Sequence, residues 1–249
     1  MSGHSKWSQI KRQKGINDNK RGQAFTRLGR EITIAVHEGG GDPTANFRLR
    51  LAVQRARDSN MPLDNIDRAV KRGLGGGDTG HLEELTYEGY GPGGGAVLVE
   101  VMTDNKNRTA GEVRHVFSRC GGNLGESGSV AWQFNDRGVI SVALNGHDAD
   151  DAELLAIDAG AVDVARGDDE LEVQTEPSDL EAVRAALEGK ALNILNAERT
   201  LVASTTVSLD RQQAAQMLKL VDKLEELDDV QRVYSNVDIS DEDMEAYDG

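Results

Sequence analysis

The chain has 249 residues and a formal net charge of −15, from 28 Lys and Arg against 43 Asp and Glu. Apolar residues make up 38% and aromatics 4%, so any core must be mainly aliphatic, in one large domain or two to three small ones. The single cysteine, Cys120, excludes an intramolecular disulfide and a cysteine-rich zinc site, and no apolar run approaches the roughly 20 residues of a membrane-spanning helix.

The charge is unevenly placed. Residues 1–72 hold 15 basic and 7 acidic side chains, a balance of +8, and residues 73–249 hold 13 and 36, a balance of −23. The asymmetry is sharpest in SKWSQIKRQKGINDNKRGQAFTRLGREI, residues 5–32. The first 30 residues carry Lys6, Lys11, Arg12, Lys14, Lys20, Arg21, Arg27 and Arg30 against one acid, Asp18. A basic, acid-poor start is also the composition of a transit peptide. Its continuation into a well-patterned helix favours a folded domain, and one free thiol suits a reducing compartment.

Residues 1–73 read as a small helical domain. Phe25, Leu28, Ile32, Ala35 and Val36 form an apolar stripe closed by Gly39-Gly40-Gly41. On a wheel of about 100° per residue, Lys20, Arg27 and Arg30 fall opposite that stripe, with Arg21 and Ile34 out of place. Asp42-Pro43 has the form of an N-cap followed by proline. The next helix aligns Leu49, Ala52, Val53 and Ala56 and is stopped by Asn60-Met61-Pro62. A short helix then carries Leu63, Ile66 and Val70, with Gly73 expected as its C-cap. GLGGGDTGH, residues 73–81, is a linker.

Strand-like ELTYEGY and GAVLVEVM follow, joined by Gly91-Pro92-Gly93-Gly94. Thr109-x-x-Glu112 is a capping-box pattern, and its helix places Val113, Val116, Phe117 and Cys120 on one face. SVAWQF alternates as a strand. Residues 136–204 then run strand, helix, strand, strand, helix, strand, a ferredoxin-like order, with Ser178-x-x-Glu181 expected to cap the second helix. An amphipathic helix over 210–227 aligns Ala214, Met217, Leu218, Val221 and Leu224, and VQRVYSNVDI closes the chain's last strand region.

The expected architecture is multidomain α and α+β. A basic helical domain (1–73) precedes two ferredoxin-like-type α/β domains. One (136–204) is inserted in the other (82–135 plus 205–240), and an acidic, solvated tail (241–249) ends the chain.

The motifs do not support catalysis. Gly89-Tyr90-Gly91-Pro92-Gly93-Gly94 matches G-x-G-x-x-G by letter, but a strand follows it where a dinucleotide site needs a helix N-terminus. No P-loop is present, the histidines lack metal spacing, and Cys120 on its stripe reads as inert. No cofactor and no metal are expected. The basic helix lacks the Trp and wide apolar face of a membrane-surface helix.

What remains is charge. A merely solvated face mixes signs; one acid among nine charges points to a polyanion, and Arg48, Arg50, Arg55, Arg57, Arg68, Lys71 and Arg72 extend the field. A second patch lies in TDNKNRTAGEVRHVFSR, with Lys106, Arg108, Arg114 and Arg119. The candidate nucleic-acid-binding residues are therefore Lys6, Lys11, Arg12, Lys14, Lys20, Arg21, Arg27 and Arg30, with Lys106, Arg108 and Arg114. Trp7 and Phe25 are candidate base-stacking aromatics, Phe25 being better explained as core.

HSKWSQIKRQK, GGGDPTANFRLR, YEGYGPGGG, DNKNRTAGEVRHVFSRCGGNLG and GSVAWQF, in this order, resemble the YebC/PmpR family over nearly the whole chain. The resemblance implies three domains, a helical one and two α/β ones with one inserted. It also implies a cytoplasmic, DNA-binding transcriptional regulator with no established catalytic residues. Some members, a mitochondrial relative among them, look instead like translation factors that ease ribosomes through difficult stretches such as consecutive prolines. In that case rRNA is the partner and Gly91 to Gly95 a probing loop. The acidic C-terminal half speaks against all three domains touching nucleic acid, and oligomeric state is left open.

Overall fold

The computed structural model describes residues 18–75, 82–167 and 169–247. The expectations at Lys6, Trp7, Lys11, Arg12 and Lys14, and for most of the glycine linker, lie outside these residues. The chain divides into two units. One takes 132–208 and 234–238; the other takes the helical region up to Ala131 together with 209–233 and the C-terminal residues from Ile239.

In the larger unit, α1 (Asp18–Gly39) packs against α2 (Phe47–Asp58) and α3 (Leu63–Gly73). The stripe read from the sequence is the core: Ile32, Ala35, Val36, Leu49, Ala52, Val53, Ala56 and Ile66 are buried, with Phe25 and Leu28 against them. Each fully buried Ile, Leu or Val side chain stabilises by about 1.5–3 kcal/mol. Two local expectations are corrected. The cap of α2 is Asn46, whose side chain accepts from the Leu49 N–H, while Asp42 closes the preceding turn by accepting from Thr44. Gly73 does not end its helix by a left-handed turn. It lies flush against α1, where a Cβ would come within 2.6 Å of the Thr33 carbonyl and the Val36 Cβ.

The same unit contains a sheet of β1 (Glu83–Tyr90), β2 (Ala96–Thr103), β3 (Asn123–Leu124) and β9 (Val230–Ser235), in the order β3-β1-β2-β9. β1 and β2 form a hairpin from Glu83↔Thr103 to Tyr90↔Ala96. Its turn is the glycine-proline stretch, with Gly93 at φ 70°, so the G-x-G-x-x-G letters spell a hairpin turn. α4 (Lys106–Arg119) contributes Val113 and Phe117 to the core, and α7 (Arg211–Glu225) contributes Ala214, Met217, Leu218, Leu220, Val221 and Leu224. α4 starts three residues before the expected capping box, capped by Asn105. α7 carries a capping box of Asp210 and Gln213. The acidic tail is not simply solvated: α8 (Asp241–Ala246) is capped by Ser240 and buries Met244.

The other unit runs β4 (Phe134–Ala143), α5 (Ala149–Asp158), β5 (Asp163–Arg166), β6 (Glu170–Thr175), α6 (Leu180–Gly189) and β7 (Asn193–Ala203). Its sheet has the order β5-β6-β4-β7, every neighbouring pair antiparallel. Ile140 and Val142 lie opposite Val173 and Leu171 and share one core with Ala152 and Ala156 of α5 and Val183 and Leu187 of α6. α6 has no side-chain cap; Ser178 instead donates to the Asp179 carboxylate. β8 (Val207–Ser208) and β10 (Val237–Asp238) form a short parallel pair. SVAWQF is not a continuous strand. Ala131–Gln133 form a single helical turn in which Gln133 is buried and Trp132 is 71% exposed.

Candidate nucleic-acid interface

Lys20 and Arg21 lie on the first turn of α1. Arg27 and Arg30, two turns on, face inward. A helix leaves its last four carbonyls without intrahelical partners, and the end of α7 is such a place. Gln23 donates to the Glu226 carbonyl at 3.0 Å, Arg27 to the Glu225 carbonyl, and Arg30 to the Asp228 carbonyl. Cationic donors at a helix C-terminus are also favoured by the helix dipole. Burial pushes the Arg27 guanidinium below its ordinary pKa, against the pull of Glu225 and Asp228. Ile34, misplaced on the helical wheel, is buried at 5% exposure.

Arg30 also reaches the Asp229 carboxylate at 3.0 Å. Asp229 is 3% exposed and accepts from the hydroxyls of Thr103 at 3.0 Å and Thr109 at 2.6 Å, and from Arg108 at 2.7 Å. Burial alone would raise its pKa. The hydrogen bonds from Arg108, Thr109 and Thr103, with the charge of Arg30, outweigh that and hold it below the usual carboxylate range. Thr109, expected as a cap, is thus a buried ligand of this carboxylate. One acid ties together α1, the end of β2, the first turn of α4 and the turn after α7.

The second basic patch is likewise engaged. Lys106 pairs with Glu83 at 2.5 Å, and Arg108 with Asp104 as well as Asp229. Arg114 is exposed, close enough to Tyr87 for its charge to act on the phenol. Burial and the charge of Asp229 raise the Tyr87 pKa against Lys106 and Arg114.

Sequence reasoning missed Asp229, Thr103 and Glu88. Glu88 is 5% exposed and accepts from the N–H groups of Gly128, Val130 and Ala131 at 2.6–2.7 Å. Burial works to raise its pKa, but those three donors prevail and hold it down. Glu88 shares its face of β1 with the exposed Glu84, Thr86 and Tyr90, so strand alternation gave no sign of its burial. Burial raises the pKa of the Cys120 thiol against Lys219, Lys223 and Arg119, which disfavours the reactive thiolate. Among the described residues no group of acids, histidines or cysteine is arranged to hold a metal, and no helix is long and apolar enough to cross a membrane.

Comparison with known proteins places this geometry. Residues 5–76 match the TACO1/YebC protein N-terminal domain, and residues 82–237 match the TACO1/YebC second and third domain. A protein of Chloroflexus aurantiacus named "Probable transcriptional regulatory protein" is 53% identical over 251 residues, covering 100% of both chains. A protein of Trichlorobacter lovleyi with the same name is 54% identical over 245 residues, 98% of this chain and 99% of that one. The crystal structure of a conserved hypothetical protein from Aquifex aeolicus superposes with a TM-score of 0.78 at 43% identity, over 89% of this chain and 92% of that one.

Proposed function

Because the chain belongs to the TACO1/YebC family, whose relatives carry transcriptional regulatory names, we propose that it is a cytoplasmic regulator of gene expression, and that it acts by holding the phosphate backbone of nucleic acid. The observation that carries this is the segregation of charge: +8 over residues 1–72 against −23 over the rest. Phosphate contacts supply affinity without sequence information, so a basic segment with no base-reading motif suits backbone binding. The acidic remainder repels the same polymer and orients the molecule on it.

The candidates take different roles in this reading. Lys6, Lys11, Arg12, Lys14, Lys20 and Arg21 are the proposed phosphate ligands. Arg27 and Arg30 are the proposed anchors, since their donors already serve carbonyls and Asp229. Arg114, with Lys106 and Arg108, forms a proposed weaker second contact. We read residues 136–204 as a ferredoxin-like domain inserted into a second α+β domain (82–135 plus 205–240), following the helical domain 1–73. The antiparallel order β5-β6-β4-β7 with both helices on one core supports that reading.

The test pairs duplex-DNA binding with ribosome co-sedimentation, for the wild-type chain and a Lys11→Ala, Arg12→Ala, Lys14→Ala triple variant. Binding by the wild type in either assay, lost in the variant, is expected. DNA retention places the action at transcription, and ribosome retention without DNA retention places it at translation. A wild type that binds neither, or a variant that binds as well as the wild type, overturns the reading.

A further inference from the structure

The outer face of α2 carries a feature that neither the core nor the charge argument explains. Phe47 keeps 57% of its surface exposed, and the Arg50 guanidinium carbon lies 5.1 Å from its ring centroid. At about 100° per residue, Phe47, Arg50, Leu51, Gln54 and Arg57 fall within an arc of roughly 120°, opposite the buried Leu49, Ala52, Val53 and Ala56. All five are exposed. The cations on the other flank behave differently. Arg48 pairs with Glu38 and Glu84, and Arg55 with Glu31 at 2.7 Å. Among the described residues, no carboxylate lies within ion-pair distance of Arg50 or Arg57. The helix thus keeps its internally neutralised arginines on one side and carries on the other an aromatic ring at its start, followed by Arg50 and then Arg57 further along the same face.

A phenyl ring with a guanidinium group beside it suits an unstacked nucleobase with its adjoining phosphate. Aromatic faces take bases of any identity, and arginine adds a stacking plane and charge. A duplex stacks its bases on one another and offers such a ring nothing, whereas unpaired bases are a regular feature of RNA loops. We propose that the Phe47–Arg50–Arg57 face of α2 is a stacking platform for a single-stranded RNA segment. One base rests on Phe47, its adjoining phosphate lies against Arg50, and a phosphate further along the strand lies against Arg57. The proposal rests on the nucleic-acid reading above and adds to it a strand type and a second place of contact.

Phe47→Leu keeps the apolar bulk and removes the π-face at an exposed site that the core does not need. Affinities for labelled oligo(A) RNA, oligo(dA) and a blunt-ended RNA duplex of equal charge, measured at one salt concentration, make the test. Phe47→Leu is expected to weaken oligo(A) RNA binding roughly 5- to 100-fold and to leave the duplex within about twofold, because phosphate contacts are retained. Wild-type protein is expected to prefer oligo(A) RNA to oligo(dA). Unchanged oligo(A) binding by Phe47→Leu, or parallel loss of the duplex, overturns the platform while leaving the nucleic-acid reading intact. Equal or tighter binding of oligo(dA) overturns the assignment to RNA. A wild type that binds none of the three removes the reading on which the platform depends.

Discussion

Arg30 and Asp229 lie 3.0 Å apart, joining the helical region to the turn between α7 and β9 across most of the chain. The Asp229 side chain is 4% exposed and that of Arg30 18%, so the pair is largely shielded from water and from salt. Its acid is shared with Arg108, Thr103 and Thr109. A buried carboxylate with this many donors is costly to remove, because each donor is left without its acceptor.

Asp229→Asn should therefore lower stability by about 2–3 kcal/mol. Urea unfolding of the variant beside wild type measures this. A change within about 0.5 kcal/mol, the range of an ordinary surface substitution, would show that the network contributes little.

Acid stability should report Asp229 and Glu88 together. Both carboxylates have folded-state pKa values lowered beneath their ordinary ones. Their contribution is present above the unfolded-state values of about 4 and is lost as pH falls through the lower folded-state values. Glu88→Gln should thus be less stable than wild type at neutral pH and should show a flatter loss of stability below about pH 4. Parallel acid-unfolding curves would contradict the assignment.

Two glycine substitutions should act with opposite sign. Gly73→Ala drives a Cβ to 2.6 Å from the Thr33 carbonyl and the Val36 Cβ, both on α1. Neither can retreat as a flexible side-chain end would, so a loss of about 1–3 kcal/mol is expected. Gly111→Ala, inside α4 with nothing within 4 Å, should stabilise by roughly 0.5–1 kcal/mol through helix propensity. Thermal unfolding of both variants checks the signs.

Arg27→Ala and Arg30→Ala should act on the fold more than on the ligand. Amide exchange in α1 and in the last turn of α7 should accelerate, while the salt dependence of nucleic-acid binding stays near that of wild type. If either substitution instead reduced the salt slope as much as Lys11→Ala does, these arginines would be phosphate ligands and not anchors.

Helical periodicity made much of this fold legible in advance. Leu49, Ala52, Val53 and Ala56 on α2 and Ala214, Met217, Leu218, Val221 and Leu224 on α7 are buried as their spacing predicts. The strand and helix order of residues 136–204 was readable for the same reason. Caps were less so, since Asp42, Thr109 and Ser178 each had the right chemistry but better local or buried partners. The inward turn of Arg27 was not readable at all: its acceptor lies 198 residues away, and periodicity reports that a face differs, not what covers it. A helical wheel marks such a face as basic whether water, phosphate or the end of another helix lies beyond it.

The central claim is that the basic start of the helical domain holds phosphates, and the salt dependence of nucleic-acid affinity tests it most directly. With about six of these side chains neutralising phosphates, log K should fall against log salt with a slope near −5 on duplex DNA, or about −4 on a single strand. The Lys11→Ala, Arg12→Ala, Lys14→Ala variant should reduce the slope by about 2–3. Affinity that stays flat between roughly 50 and 200 mM salt, or a variant slope equal to that of wild type, would contradict the account.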